Sequence, residues 1–554
     1  MASSNPTSSE LSPRAGFLLS AASGILLGLS FPPSPFYSLA YVAFIPFLLV
    51  FDRSRSYLSV TGHGYVFLTL FHITTVYWAG GFTHMHDPWM MSAGAALLFI
   101  HPLLYLPFIL LASLVRRKMG LHAGLAAFIF LWISYEYIHS VGEFTFPWMT
   151  VGTSQAYDVT RIQIAEYTSA YGLTFLICLF NAGAYLLLLN VSTTRWQPRS
   201  WQALTALAFI VIVYAAPWVY GRVILSTRVL PQGSHVRVGV VQPNFDPWEK
   251  WGVKNFDRIA SYKREVDSCM SLSKELSGQT PDIILWPETA IPFDILLPQF
   301  APEFYALTRS VDSLDVPIFT GLEHVEIEDS AHASVTAQRV GTTNYFYESY
   351  NAATIINPGL GAGPVYEKMV LVPFAERIPY ASAFRFLIQP LKWNVGISNW
   401  GIGHDTLVYS LKLRNGKSVR FGGMICYESV YPDFVRQFTR RGAQFFVVLT
   451  NDSWWGKTSG GYQHAAYASL RAVENRRWIV QCANGGISEF VDPYGLVHSS
   501  SPFFEGARWV DSVATQDSQT FYTKHGDVFA QGCLCCSAGI VILAFAMPGR
   551  RNQK

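Results

Sequence analysis

The chain has 554 residues, of which 14% are charged and 15% aromatic, with a formal net charge of +3. That charge content is far below the ~25% of ordinary soluble proteins, which excludes a disordered chain or a generic cytosolic one, and the net charge is too small to mark a nucleic-acid binder. The charges are also unevenly spread, 16 in residues 1–220 and 61 in the remaining 334, so the chain has two solvents. Seven cysteines show neither the repeated C-x-x-C spacing of a zinc site nor a dense disulfide framework.

A bilayer core of ~30 Å takes about 20 apolar residues per helix. Eight runs meet or approach this, near 15–32, 37–51, 62–81, 91–115, 121–139, 165–190, 201–220 and 528–548. The first two are short and separated by Pro32, Pro33 and Pro35, a pattern that also fits a tight helical hairpin. The N-terminal stretch imitates a signal peptide, but its apolar run continues past any small-residue cleavage motif and reads as an uncleaved anchor. With eight spans, Arg14, Arg53, Arg55, Arg116, Arg117, Lys118, Arg195, Arg199, Arg550, Arg551 and Lys554 fall on one side, and the opposite short loops carry only Arg161. The positive-inside rule then places both termini in the cytoplasm and residues 222–527 outside, periplasmic in a Gram-negative cell. Glu136, near the end of the fifth run with His139 one turn on, reads as a group that reaches the interface or hydrogen-bonds inside the bundle.

From Val236 the pattern changes. Residues 235–242 alternate like a strand, 254–277 reads as a helix, and 282–286 is a short buried strand. Further strands are predicted at 316–322, 345–356, 365–372, 419–427, 444–450, 478–483 and 487–492, with helices near 432–441 and 462–477. Strands alternating with helices, followed by hairpin-like pairs, predict a layered α/β sandwich.

Three reactive side chains sit where these strands end or break pattern. Glu288 follows an apolar strand in Trp286-Pro-Glu-Thr-Ala290, where partial desolvation raises a carboxyl toward the range of a general base. Lys368 interrupts the apolar 365–372 segment, either reaching outward to solvent or placing a cation where an oxyanion forms. Cys426 ends a strand ahead of a Pro432-led helix, on a turn from which a thiolate can attack a carbonyl; a lone cysteine is otherwise a small core residue. No G-x-S-x-G elbow or H-E-x-x-H zinc helix is present.

In this order Glu288, Lys368 and Cys426 resemble the Glu-Lys-Cys triad of the nitrilase, or carbon–nitrogen hydrolase, superfamily. With seven spans before that domain and one after, the chain resembles the bacterial apolipoprotein N-acyltransferases over nearly its whole length. The matching motifs are Val241-Gln-Pro-Asn244, Trp286-Pro-Glu-Thr-Ala290, Leu371-Val-Pro-Phe-Ala-Glu376, Cys426-Tyr-Glu428, Asn451-Asp-Ser-Trp-Trp-Gly456 and Asp492-Pro-Tyr-Gly495. The resemblance implies a membrane α-helical bundle of about eight spans plus a nitrilase-like αββα sandwich, divided as 1–221, 222–527 and 528–554.

It further implies Glu288 as general base, Lys368 as the oxyanion's cation and Cys426 as the nucleophile that becomes a thioester. Glu376 and Glu428 match supporting carboxylates, Glu376 as a clamp on Lys368, and Trp251 matches an aromatic near the entrance. The implied reaction is ping-pong transfer of an acyl chain from a phospholipid, with phosphatidylethanolamine the expected donor. The acceptor is the α-amino group of the N-terminal S-diacylglyceryl-cysteine of an apolipoprotein, in the inner membrane, by a monomer with no metal or organic cofactor. Met369, Val370 and Ala375 depart from the family pattern, where a basic residue, His and Gly are common.

Residues 380–400, rich in aromatics with single basic residues and too short to span, suit an interfacial lid. Trp454 and Trp455 fit either a wall of the site or simple core, and Cys533, Cys535 and Cys536 fit packing positions. Two other functions stay open on the residues alone: a membrane-anchored amidase in which water resolves the thioester, and a transporter or receptor with a degenerate outer domain.

Overall fold

The computed structural model describes residues 11–81, 86–193, 201–248, 258–388 and 399–547. Among these, five helical stretches are long and apolar enough to cross a bilayer: Pro88–Met119, Leu121–Ile138, Arg161–Asn190, Leu204–Ser226 and Val528–Ala546. Three expected spans fall short of that test. Helix Pro13–Gly28 has only 16 residues, and the second run is divided into Ala40–Ala43 and Ile45–Arg53. Helix Tyr57–Val76 has 20 residues but carries Thr61, His63, Thr69, His72, Thr74 and Thr75.

Those weaker helices are held by close packing and polar contacts rather than by apolarity. Pro13–Gly28 buries the small stripe Gly16, Ser20, Gly24 and Gly28, one residue per turn, and lies against Tyr57–Val76. A Cβ on Gly24 or Gly28 would collide with Phe67 O or Thr74 Oγ1 there. Ser23 Oγ accepts from Phe47 N at 2.8 Å. Glu136 is buried and accepts from Trp132 Nε1, Val151 N and Thr174 Oγ1 at 3.0, 2.8 and 2.8 Å, so it joins the bundle from inside, one of the two roles its position allowed. Cys533 packs inward, whereas Cys535 and Cys536 face outward.

The bundle has two distinct ends. At one, Arg116 donates to Asp52 O and Ser54 O at 2.6 and 2.8 Å, and Lys118 Nζ donates to Met547 O at 3.1 Å. At the other, loop residues 140–150 and the turn after Val76 meet the polar domain, where Tyr427 OH donates to Thr145 O at 3.1 Å and Trp78 Nε1 to Gln463 Oε1 at 3.1 Å.

Helix Trp201–Ser226 runs a little beyond residue 221 before the domain begins. The domain holds two sheets. The first has the order β13-β1-β2-β3-β5-β4, with β6 on β5. Its strands are β1 His235–Gln242, β2 Ile283–Leu285, β3 Ile318–Asp329, β4 Gln338–Arg339, β5 Tyr345–Asn357, β6 Gly361–Glu367 and β13 Ala507–Ala514. The second, β12-β11-β10-β9-β8-β7, consists of β7 Val408–Lys412, β8 Ser418–Ile425, β9 Phe445–Thr450, β10 Ile479–Ala483, β11 Glu489–Val491 and β12 Val497–Ser500. Each has a parallel core, β1-β2-β3 and β8-β9-β10, flanked by antiparallel strands.

The inner faces meet through aromatic contacts, Phe319 lying 4.9 Å from Tyr409 and 5.1 Å from Phe421 by ring centroid. Helices Arg258–Leu276 and Ala301–Leu314 cover the outside of the first sheet through Ile284, Trp286, Ile318 and Leu322. Helices Pro432–Arg440 and Ser459–Asn475 cover the second. The layers are therefore helix, sheet, sheet, helix, as expected. One strand differs: the segment predicted at 365–372 leaves the ladder at Glu367, because Lys368 turns its side chain into a cluster of carboxylates.

Candidate active site

The site lies where the parallel strands of both sheets end, on the side facing the bundle. Glu288 sits three residues past β2 on a turn that places Thr289 at φ +48°. This turn rests directly on β3, and a Cβ on Gly321 would stand 2.5 Å from Thr289 N and 2.8 Å from Glu288 Cα. Only glycine allows that approach.

Lys368 follows β6 and is fully buried; its Nζ donates to Glu376 Oε1 at 2.7 Å and to Glu288 Oε1 at 3.3 Å. Asn351, on β5, donates to the same two oxygens at 2.7 Å (Glu288) and 3.4 Å (Glu376). Glu376 Oε2 accepts Val372 N at 2.8 Å, which fixes the carboxylate within the loop that follows β6. Burial opposes the lysine's charge, but the Glu376 and Glu288 carboxylates outweigh it and hold the ammonium above its ordinary range.

Cys426 begins a short 3-10 turn at the end of β8 and has φ +50°, a region that non-glycine residues rarely occupy and one found at nucleophile turns. Burial and the Glu288 carboxylate push its thiol well up, while Lys368 pulls it down. The resting thiol is thus protonated and needs a base at the moment of attack. Glu428 accepts Tyr366 OH at 2.7 Å, Met369 N at 2.7 Å, Val370 N at 3.2 Å and Ile425 N at 2.7 Å. It thereby ties the nucleophile's turn to the loop that bears Lys368. Burial raises its carboxyl to about 7 against those donors.

The structure brings Glu288, Lys368, Cys426, Glu376 and Glu428 together. Trp251 lies outside the described residues. Trp455 packs on Trp78 and Trp148, at centroid distances of 4.5 and 5.5 Å, and Trp454 on Trp248 at 5.4 Å, so this pair joins the domain to the bundle on one side and walls the domain on the other. Sequence reasoning missed Asn351 and His464. Asn351 shares its strand with Glu348, Ser349 and Thr354, so nothing set it apart, and His464 carried no spacing signal.

Residues 237–514 match the carbon-nitrogen hydrolase family and residues 23–183 the apolipoprotein N-acyltransferase N-terminal domain. The domain after the seventh helix run is therefore a carbon–nitrogen hydrolase fold carried by a membrane bundle. An amidase of the nitrilase superfamily from Nesterenkonia AN1 superposes with a TM-score of 0.36 at 16% identity, covering 55% of this chain and 99% of that one. The chain is 32% identical to the apolipoprotein N-acyltransferase of Chlorobaculum tepidum over 96% of its length and 97% of the relative's. To that of Geobacter metallireducens it is 30% identical over 98% and 97%. It belongs to the apolipoprotein N-acyltransferase family.

Proposed function

We propose that this enzyme moves an acyl chain from a phospholipid, through a Cys426 thioester, to the α-amino group of the N-terminal diacylglyceryl-cysteine of an apolipoprotein. The observation that carries the reading is the buried Glu288–Lys368–Glu376 network beside a cysteine held on a positive-φ turn, on the face where the domain meets the bundle.

In this reading Glu288 takes the thiol proton as Sγ attacks the ester carbonyl, and Lys368 neutralises the oxyanion. Collapse breaks the ester C–O bond, and the proton on Glu288 passes to the departing lysophospholipid oxygen. The acceptor amine then attacks the thioester, loses a proton to Glu288, and the C–S bond breaks to restore the thiol. Glu376 keeps Lys368 in line, and Glu428 braces the turn.

A membrane-held site suits two lipid substrates, because extracting a chain into water costs ~0.8 kcal/mol per CH₂. The bundle crosses eight times, the three weaker helices completing the five apolar ones, with residues 222–527 as the extracytoplasmic catalytic unit. Arg53, Arg116 and Lys118 share one end with Met547, which supports a cytoplasmic face there and a periplasmic site. The donor is phosphatidylethanolamine, and the enzyme acts as a monomer.

Intact-protein mass spectrometry after incubation with phosphatidylethanolamine vesicles tests this. A gain of one acyl chain that Cys426→Ala abolishes and a diacylglyceryl peptide discharges is the expected result. Free fatty acid without a lasting adduct would replace transfer by hydrolysis.

A further inference from the structure

Cys426 keeps a sparsely populated backbone conformation that persists only where its surroundings over-determine it. Part of that hold is a side-chain chain that the triad does not use. The Cys426 carbonyl accepts from Ser429 Oγ at 2.8 Å and lies 3.2 Å from His464 Nε2. His464 Nε2 is also 2.8 Å from Ser429 Oγ, and its Nδ1 is 2.8 Å from Asp452 Oδ1. Thr450 Oγ1 donates to the same Asp452 oxygen at 2.9 Å. The histidine and aspartate side chains are fully buried, and the ring packs beside Trp148 with centroids 5.6 Å apart. One ring nitrogen, one Asp452 oxygen and the Cys426 Sγ all fall within 4.8 Å of one another.

We propose that His464, oriented by Asp452, is a positioning residue that fixes the Cys426 turn so that Sγ faces Glu288 and Lys368. The inference rests on the reading of Cys426 as nucleophile. Asp452 accepts from Nδ1, which selects the tautomer and ring angle and leaves Nε2 as an acceptor, so that the single proton of Ser429 Oγ is shared between Nε2 and the Cys426 carbonyl. Both ring nitrogens are thereby engaged, so the ring acts by holding Ser429 against the Cys426 turn. A misplacement of ~1 Å at a reacting atom costs about 10²-fold in rate, which sets the scale of the effect.

The test compares His464→Gln, His464→Asn and Asp452→Asn in the full-length enzyme with phosphatidylethanolamine vesicles, rates being taken per folded molecule. Glutamine returns an amide near the position of Nε2, whose oxygen can accept from Ser429 Oγ; asparagine returns one only near Nδ1. The expected result is a loss of about 10²-fold in acyl-Cys426 formation for His464→Asn, with KM for lipid unchanged, recovery of at least about tenfold in His464→Gln, and a loss in Asp452→Asn. Equal rates in the two histidine variants, a change confined to KM, or a wild-type rate in Asp452→Asn would overturn the proposal. If neither histidine variant folds, Asp452→Asn alone decides: a slower kcat at constant KM supports positioning, and a wild-type rate refutes it. Absence of any acyl adduct in the unmodified enzyme would instead remove the acyltransferase reading on which the proposal stands.

Discussion

Replacing Glu376 by glutamine separates the two duties of Lys368. The ammonium sits 2.7 Å from Glu376 and 3.3 Å from Glu288, which at an effective dielectric near 20 corresponds to attractions of about 6 and about 5 kcal/mol. The two are close enough that losing the first lets Lys368 move toward Glu288. Removing one partner of a buried pair costs about 3–5 kcal/mol net, or roughly 10²- to 10⁴-fold in a rate that depends on the pair. Two opposite changes should follow. Lys368 already pulls the Cys426 thiol down, and with Glu376 neutral that pull is less compensated, so iodoacetamide labels Cys426 faster near neutral pH. Acyl-enzyme formation slows, because Glu288 is drawn onto the ammonium and the oxyanion loses a fixed cation. Labelling followed by peptide mass spectrometry and acylation followed on the intact protein give the two rates on one preparation. If both rates fall together, or if acylation stays within about threefold of wild type, Glu376 does not clamp Lys368.

Three further outcomes are expected. Gly321→Ala drives a Cβ against backbone atoms of the Glu288 turn, which cannot give way, so acylation drops by about 10²-fold while thiol labelling persists; a wild-type acylation rate would show that the turn does not need this approach. Burial raises the Glu489 carboxyl to about 8, and its Oε1 meets no donor among the described residues. A carboxyl raised in the folded state contributes stability that is complete below the ordinary pKa of ~4.3 and is lost as pH climbs through about 8, so the Tm falls from about pH 5 to about pH 9. Glu489→Gln flattens that slope and is the more stable form at the alkaline end; an unchanged slope in differential scanning fluorimetry would assign the pH dependence elsewhere. Finally, Phe384 and Phe386 are exposed on the segment after Tyr380, and converting both to Asp should slow acylation from vesicles but not from detergent-dispersed lipid; equal rates from both would exclude an interfacial arm.

The triad was legible because each member breaks a local pattern: a carboxylate after an apolar strand, a lysine in an apolar segment, a cysteine before a proline-led helix. Glu376 and Glu428 were legible only through the motifs that carry them. Asn351 was hidden because its partners are 63 and 25 residues away, a separation that periodicity cannot bridge. The layered order of the domain could be read from alternation, but β4, β7, β12 and β13 could not, since short or half-exposed strands alternate weakly. The first two expected spans fell short because their helices are too short, and the third because its threonines and histidines lower its hydropathy. The small residues of the first are also the ones that let helices approach closely.

Helix Val528–Ala546 returns to the bundle after the whole domain has been made and sets Ser537 Oγ 2.8 Å from Ser134 Oγ of helix Leu121–Ile138. On a chain synthesised from its N-terminus, the bundle must therefore wait with that groove open while some 300 residues emerge and fold. Meanwhile the folding domain has to find its seat, because Gln463 satisfies its amide on Pro32 O and Thr75 O, each at 3.0 Å. The last helix then acts as a closing stave, and chains stalled or truncated before residue 528 should be substrates for membrane quality control even though every group named in the site has already been synthesised.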